Sequence, residues 1–117
     1  MTYVDGFLLA VPTARKEEYR KVAADMAEIF KDHGALTVVE CWGDDVPDGE
    51  VNSMNSAVMR TPEETVVFSW VTWPSKEARD AGNQAMMEDE RMPKDMSAMP
   101  FDGKRLIYGG FLALFER

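Results

Sequence analysis

Two stretches of the chain follow the same short plan, and that repeat narrows the possible folds more than any other feature. Tyr3–Val11 is an apolar, β-rich run that stops at Pro12 and is followed by Thr13 and a helical pattern. Thr65–Trp73 is a second such run, which stops at Pro74 and is followed by Ser75 and another helical pattern. Proline cannot donate to a strand ladder, and a Ser or Thr just beyond it can accept from the free N–H groups of a helix start. Each unit is therefore predicted to be a strand, a stop, a cap and a helix.

The first helix is predicted over about Ala14–His33. Tyr19, Val22, Ala23, Met26, Ile29 and Phe30 fall on one stripe at 3.6-residue spacing. Glu17 and Glu18 suit its N-terminal end, and Gly34 supplies a left-handed stop. The second helix is predicted over Lys76–Met87, with a stripe of mostly small residues (Ala78, Ala81, Gly82, Ala85, Met86) that calls for close approach to a sheet. A short strand, Leu36–Trp42, follows the first helix. A longer one, Arg105–Phe115, follows the second and contains Gly109 and Gly110, a pair that suggests a bulge or a close backbone approach.

The order βαβ–βαβ gives an α+β fold of the ferredoxin-like split βαβ kind, a four-stranded antiparallel sheet with two helices on one face. With 117 residues there is room for one domain, residues 1–117, in which 43–62 forms a central insertion rich in Gly, Asp, Pro, Asn and Ser. Ala57–Met59 within it is predicted as a short strand or turn. A chain of this mass exposes ~6,400 Å² when folded and ~19,000 Å² when extended, so it can build a core without metals or disulfides.

Strand alternation carries a further constraint. In the first strand one face has Tyr3, Asp5, Phe7, Leu9 and Val11, and the other has Val4, Gly6, Leu8 and Ala10. In Thr65–Trp73 the two faces hold Val66, Phe68, Trp70 and Thr72 against Val67, Ser69, Val71 and Trp73. A sheet with helices on one side only should show polar residues on the other, and this one does not. A second copy packed sheet to sheet is the expected cover, because the chain has no spare element for the task.

The formal charge of −8, from 21 acidic and 13 basic residues, disfavours binding to phosphate backbones, so no nucleic-acid partner is expected. No apolar run approaches the ~20 residues that cross a bilayer, and the N-terminus enters a strand without a leader-like pattern. No membrane partner is expected, and the cytoplasm is the expected compartment. Cys41 is the only cysteine and His33 the only histidine, a pair too small for a conventional zinc site or a supported Cys–His nucleophile. No metal and no cofactor are expected.

Few residues stand out for chemistry. His33 suits the dipole at a helix end, and as a general base it would be the sharper candidate. Asp5 and Glu40 are carboxylates inside apolar strands, so each is either paired or lines a cavity with a raised pKa. Trp42, Trp70, Trp73 and Tyr108 are amphipathic rings that fill a core or a dimer seam, or stack on a ligand. Met86, Met87, Met92, Met96 and Met99 cluster in a stretch that suits an adaptable lid or a gap-filling surface. Glu88–Glu90 is an acidic run of the kind found in solvated turns, and Asp102–Gly103 suits a tight turn before the last strand.

Several stretches carry a family likeness: Tyr3-Val4-Asp5-Gly6-Phe7, His33-Gly34-Ala35-Leu36, Val39-Glu40-Cys41, Glu64-Thr65-Val66-Val67-Phe68-Ser69-Trp70, Trp73-Pro74-Ser75-Lys76 and Phe101-Asp102-Gly103-Lys104-Arg105-Leu106-Ile107-Tyr108-Gly109-Gly110-Phe111. Over nearly its whole length the chain resembles the YbaA-like family of uncharacterised bacterial proteins, with 51–59 fitting that pattern least. The resemblance implies a subunit of the dimeric α/β-barrel type, in which two sheets face each other, and implies no activity.

The expected function is a homodimer, paired through the sheet face, with a small-molecule pocket between sheet and helices. Trp42, Trp70, Trp73 and Arg105 are candidates to contact the ligand. One alternative is a cofactor-independent monooxygenase- or isomerase-like enzyme on an aromatic or polyketide-like substrate, using His33, Asp5, Glu40 and Tyr108. Another is a structural or regulatory interaction module.

Overall fold

Pro12 and Trp73 close the two longest strands of the computed structural model, which describes residues 1–117. β1 (Tyr3–Pro12) leads through a single 3-10 turn, Thr13–Arg15, into α1 (Lys16–Asp32) and β2 (Thr37–Trp42). After the central loop, which holds the one-turn helix α2 (Met54–Ala57), the same plan returns as β3 (Glu64–Trp73) and α3 (Lys76–Met87). A 3-10 turn at Met96–Ala98 and β4 (Ile107–Leu112) complete the chain.

The sheet order is β2-β3-β1-β4, and every neighbouring pair is antiparallel. β1 and β3 form the centre and pair over their full length, from Tyr3↔Trp73 to Pro12↔Glu64. β2 therefore runs parallel to β1 with β3 inserted between them, which is the split βαβ arrangement.

Side-chain alternation sends Tyr3, Asp5, Phe7, Leu9 and Val11 towards the helices, together with Val67, Ser69, Val71 and Trp73. One buried cluster unites Leu9, Val11 and Val67 with Tyr19 and Ala23 of α1. A second joins Tyr3, Ala35, Val71 and Trp73, and Phe30 meets the Trp73 ring edge-on at 6.1 Å. The small stripe of α3 lets it settle on Trp73, with Gly82 buried against that ring and against the His33 carbonyl.

Two local expectations change in the folded chain, the Thr13 cap and the length of the last strand, and two either-or expectations resolve. Ser75 caps α3 by accepting from the Ala78 N–H at 3.1 Å, but Thr13 makes no equivalent cap. Its hydroxyl is 2.7 Å from that of Thr65 and its N–H donates to Glu63 O, so Thr13 still belongs to the end of the sheet and α1 starts later, at Lys16. β4 is shorter than Arg105–Phe115. Its only neighbour is β1, which ends at Tyr3↔Leu112 and leaves one further bond, Ala113 N–H to Thr2 O.

Gly109 and Gly110 produce no bulge, since they pair in unbroken register with Gly6 and Asp5. The close approach is real at Gly110, where a Cβ would strike the Tyr3 ring and the Arg79 guanidinium. Of the two forms expected for Ala57–Met59, the turn is the one seen, at Val58–Met59, following the last residue of α2. Ser53 and Ser56 build a capping box on α2, and Met59, at φ 54°, ends it in the left-handed region.

The central loop also qualifies the expectation that nothing in the chain covers the second sheet face. Val58 is fully buried and packs with Ala10 and Val66 on that face. Arg105 anchors the loop by donating to Met59 O at 2.9 Å and to both carboxylate oxygens of Glu64 at 2.8 and 2.7 Å. The rest of the face stays open: Phe68, Ile107 and Phe111 are exposed, and the Phe68 and Trp70 rings lie 5.5 Å apart.

Candidate functional site: a cavity between sheet and helix

Between α1 and the sheet lies a cavity of about 270 Å³. Its floor comes from alternate residues of three strands, Phe7 and Leu9 on β1, Glu40 on β2, and Ser69 and Val71 on β3. Its wall is the α1 stripe, where Tyr19, Ala23, Met26 and Phe30 recur every three or four residues and so share one helix face. The segment after α3 folds across the top and places Met92, Met96, Met99 and Phe101 on the cavity. Unbranched thioethers adapt to irregular contents, which suits a lid.

Glu40 is the only charged residue on this lining. The Tyr19 hydroxyl donates to Glu40 Oε1 at 2.6 Å, and Ser69 lies directly opposite on β3. Water reaches Glu40 from the open sides of the cavity, so the residue as a whole is accessible. The apolar walls still disfavour its charged form and push its pKa up, while hydrogen bonds from the Tyr19 and Ser69 hydroxyls pull it down by less. Burial first, and then the charge of Glu40, push the Tyr19 phenol well above its usual value.

Tyr19 and Glu40 also border a second groove of about 400 Å³ between α1 and the edge strand β2, whose lining includes Trp42. Lys16 Nζ sits 5.2 Å from the centre of the Trp42 ring. The Tyr19–Glu40 pair thus divides an inner cavity from an outer groove.

Asp5 has different surroundings. It is buried, and its oxygens accept from Trp73 Nε1 at 3.0 Å and Arg79 Nε at 3.1 Å. Arg79 reaches on to the Tyr3 hydroxyl at 3.3 Å and stacks over that ring at 4.7 Å. Tyr108 is exposed on β4, its ring stacked on Phe7 at 6.3 Å, and borders the same end of the helix-side surface as Asp5 and Arg79.

His33 touches neither cavity. Its Nε2 lies 2.8 Å from Asp89 Oδ2, tying the end of α1 to the end of α3. Hydrogen bonds from Arg91 and His33 hold the Asp89 carboxyl well below the usual range. Trp70 faces the opposite side of the sheet, Trp73 is sealed in the core, and Arg105 is held by Glu64, Asp102 and Met59 O. The four candidate acid/base residues therefore fall into three separate places: Glu40 alone, Asp5 with Tyr108, and His33 elsewhere.

Tyr19, Ser69 and Arg79 complete these surroundings without standing out in the sequence. Tyr19 is the one hydroxyl on the α1 stripe and Ser69 the one small polar residue on its strand face, which are the signals available. No helix is long and apolar enough to cross a membrane. No group of three or more His, Cys, Asp or Glu is placed to hold a metal ion.

A four-stranded antiparallel sheet in this order, with α1 and α3 on one face, defines a ferredoxin-like α+β protein. A dimeric ferredoxin-like protein from an uncultured marine organism matches it structurally with a TM-score of 0.56 at 13% sequence identity, over 100% of both chains. Residues 2–103 match the family described as "Protein of unknown function (DUF1428)", and the chain belongs to that family. It is 55% identical over 116 residues to the "Uncharacterized protein YbaA" of Escherichia coli K12, covering 99% of each chain, and is equally similar to the protein of that name in Shigella flexneri.

Proposed function

We propose that this chain is a homodimeric binding protein that holds a small, largely apolar molecule between its sheet and α1. The observation that carries the reading is the cavity of about 270 Å³ under the methionine segment, walled almost wholly by apolar side chains and open enough to exchange its contents. That volume falls just below the usual range of ligand pockets, about 300 to 1,000 Å³, and so suits a small molecule.

Uncovered surface supports the pairing. The single chain exposes 7902 Å², against about 6,400 Å² for a compact monomer of its mass. The excess of about 1,500 Å² is more than enough for one side of a standard interface, about 800 Å² per partner. It includes the aromatic face of Phe68, Trp70 and Phe111, and the related fold in the marine protein is described as dimeric.

Two measurements test this reading. Titration with 2-phenylethanol should shift the methyl NMR signals of Met26, Met92, Met96 and Met99, and Val22→Trp, which fills the cavity, should abolish those shifts. Shifts scattered over other methyls would refute the pocket, as would no shift at millimolar concentration from this alcohol or from the amine and acid that share its ring. Sedimentation at micromolar concentration should give twice the chain mass, and Phe68→Glu with Phe111→Glu should halve it. A monomeric unaltered chain would refute the pairing.

A further inference from the structure

The acidic side chains that the fold draws well back from solvent each have an arginine. Asp5 has Arg79 at 3.1 Å, Glu64 has Arg105 at 2.7 Å, and Asp89 has Arg91 at 2.8 Å. Glu40 has none: it takes part in no ion pair, and its polar neighbours are the hydroxyls of Tyr19 and Ser69. A carboxylate set among apolar groups without a cation is costly. Glu40 keeps access to water, but on its cavity side, walled by apolar groups, the protein supplies no cation.

The charged groups on all sides agree with this. The methionine segment places no charged side chain on the inner cavity, and neither do β1, β3 or the inner face of α1. Lys16 and Arg20 border only the outer groove. Lys16 is stacked over Trp42, and Arg20 lies 3.6 Å from Glu17, so neither neutralises Glu40 from the inner side. Tyr19 donates to Oε1 at 2.6 Å, and the Ser69 hydroxyl is the other polar group at this carboxyl.

We infer that the ligand of this cavity is a primary amine on a compact apolar body, its ammonium group paired with Glu40 and its body lying against the methionine lid and Phe101. The inference rests on the pocket reading above and adds the chemistry of the head group. An ammonium donates three N–H bonds and accepts none, which matches a carboxylate that meets two hydroxyls and no cation. A carboxylate head would meet like charge, and a hydroxyl head would leave the charge of Glu40 uncompensated. The net charge of −8 draws cations in the same direction.

The test is a calorimetric series on the full-length protein at pH 7 with 2-phenylethylamine, 2-phenylethanol and phenylacetate, probes that share one ring and differ in the head group. The amine is expected to bind at least tenfold more tightly than the alcohol, with phenylacetate weakest. Glu40→Gln keeps an acceptor for the Tyr19 hydroxyl and is expected to cost the amine about tenfold while leaving the alcohol within about threefold. The ranking in the unaltered protein decides the matter even where the variant fails to fold. Alcohol and amine binding equally, or an amine affinity indifferent to Glu40→Gln, would overturn the inference and leave the pocket standing. Failure of all three probes to bind would overturn both.

Discussion

Gly82 is where helix propensity and packing make opposite demands, and Gly82→Ala measures which wins. On propensity alone the substitution should stabilise α3, since Ala is favoured over Gly in a helix interior by about 1 kcal/mol. The fold leaves no room for the methyl group. A Cβ built at Gly82 lies 2.7 Å from the His33 carbonyl oxygen and nearer still to the Trp73 ring, whereas ordinary contact needs about 3.5 Å or more.

Neither neighbour can yield cheaply. The His33 oxygen is backbone at the close of α1, and Trp73 is fully buried, hydrogen-bonded to Asp5 and packed against Phe30. α3 must therefore lift off the sheet by close to an ångström. Overpacking costs of about 1–3 kcal/mol are typical, and a contact involving backbone belongs at the upper end. Net of the propensity gain, about 2 kcal/mol of destabilisation is expected.

Urea denaturation at fixed protein concentration should show it as a fall of about 1 M in midpoint, given slopes of about 1–3 kcal/mol per M for small proteins. Gly103→Ala is the control. Nothing lies within 4 Å of a Cβ there, so a change below about 0.5 kcal/mol is expected. A Gly82→Ala protein as stable as the parent would refute the close packing of α3 on Trp73.

Three further outcomes follow from the same contacts. Asp5→Asn leaves Trp73 an acceptor, and Arg79 keeps Asp80 at 2.8 Å, so the expected loss is about 2 kcal/mol rather than the 3–5 of a stranded buried charge; denaturation at pH 7 that shows no loss would count against the ion pair. The Arg105 guanidinium holds the Glu64 carboxyl down at about 2, below its unfolded value, so this group's stabilisation is complete above about pH 4.5 and is lost as the pH falls towards 2. Arg105→Gln should flatten the acid-denaturation curve in that window, and an unchanged curve would contradict the pairing. Met59→Gly should raise stability by up to about 1 kcal/mol and the melting temperature by a few degrees, because the left-handed backbone is unfavourable for Met and the side chain is largely exposed; a lower melting temperature would mean that the side chain packs where it is seen exposed.

Some of this was legible along the chain because it depends on near neighbours. Period-2 alternation in Tyr3–Val11 and Thr65–Trp73 marks strands, and the 3.6-residue stripe from Tyr19 to Phe30 marks a helix, whatever lies beside them. Ser75 and the small stripe of Lys76–Met87 predict both the start and the seating of α3, and α3 spans those residues. Glu40 and the methionines were visible as anomalies, a charge in an apolar strand and a run of flexible apolar side chains. Apolar residues on both strand faces marked the face that the single chain leaves largely uncovered.

Where the decisive contacts lie far apart in sequence, the tertiary structure alone settled the outcome. Asp5 and Glu40 look alike in sequence, yet the fold brings Arg79 to one and only hydroxyls to the other, since those partners lie 74 residues from Asp5 and 21 from Glu40 along the chain. Thr13 and Ser75 occupy equivalent places in the repeat, but the opposite strand supplies Thr65 to the hydroxyl of one, and only the other caps its helix. The length of β4 was set by where β1 ends, and the fate of Ala57–Met59 by the Ser53–Ser56 box. Local pattern decides what a segment can become, because propensity and periodicity act over a few residues. Which partner a polar side chain meets is decided by strand register and helix seating, because only those bring distant residues within hydrogen-bonding reach.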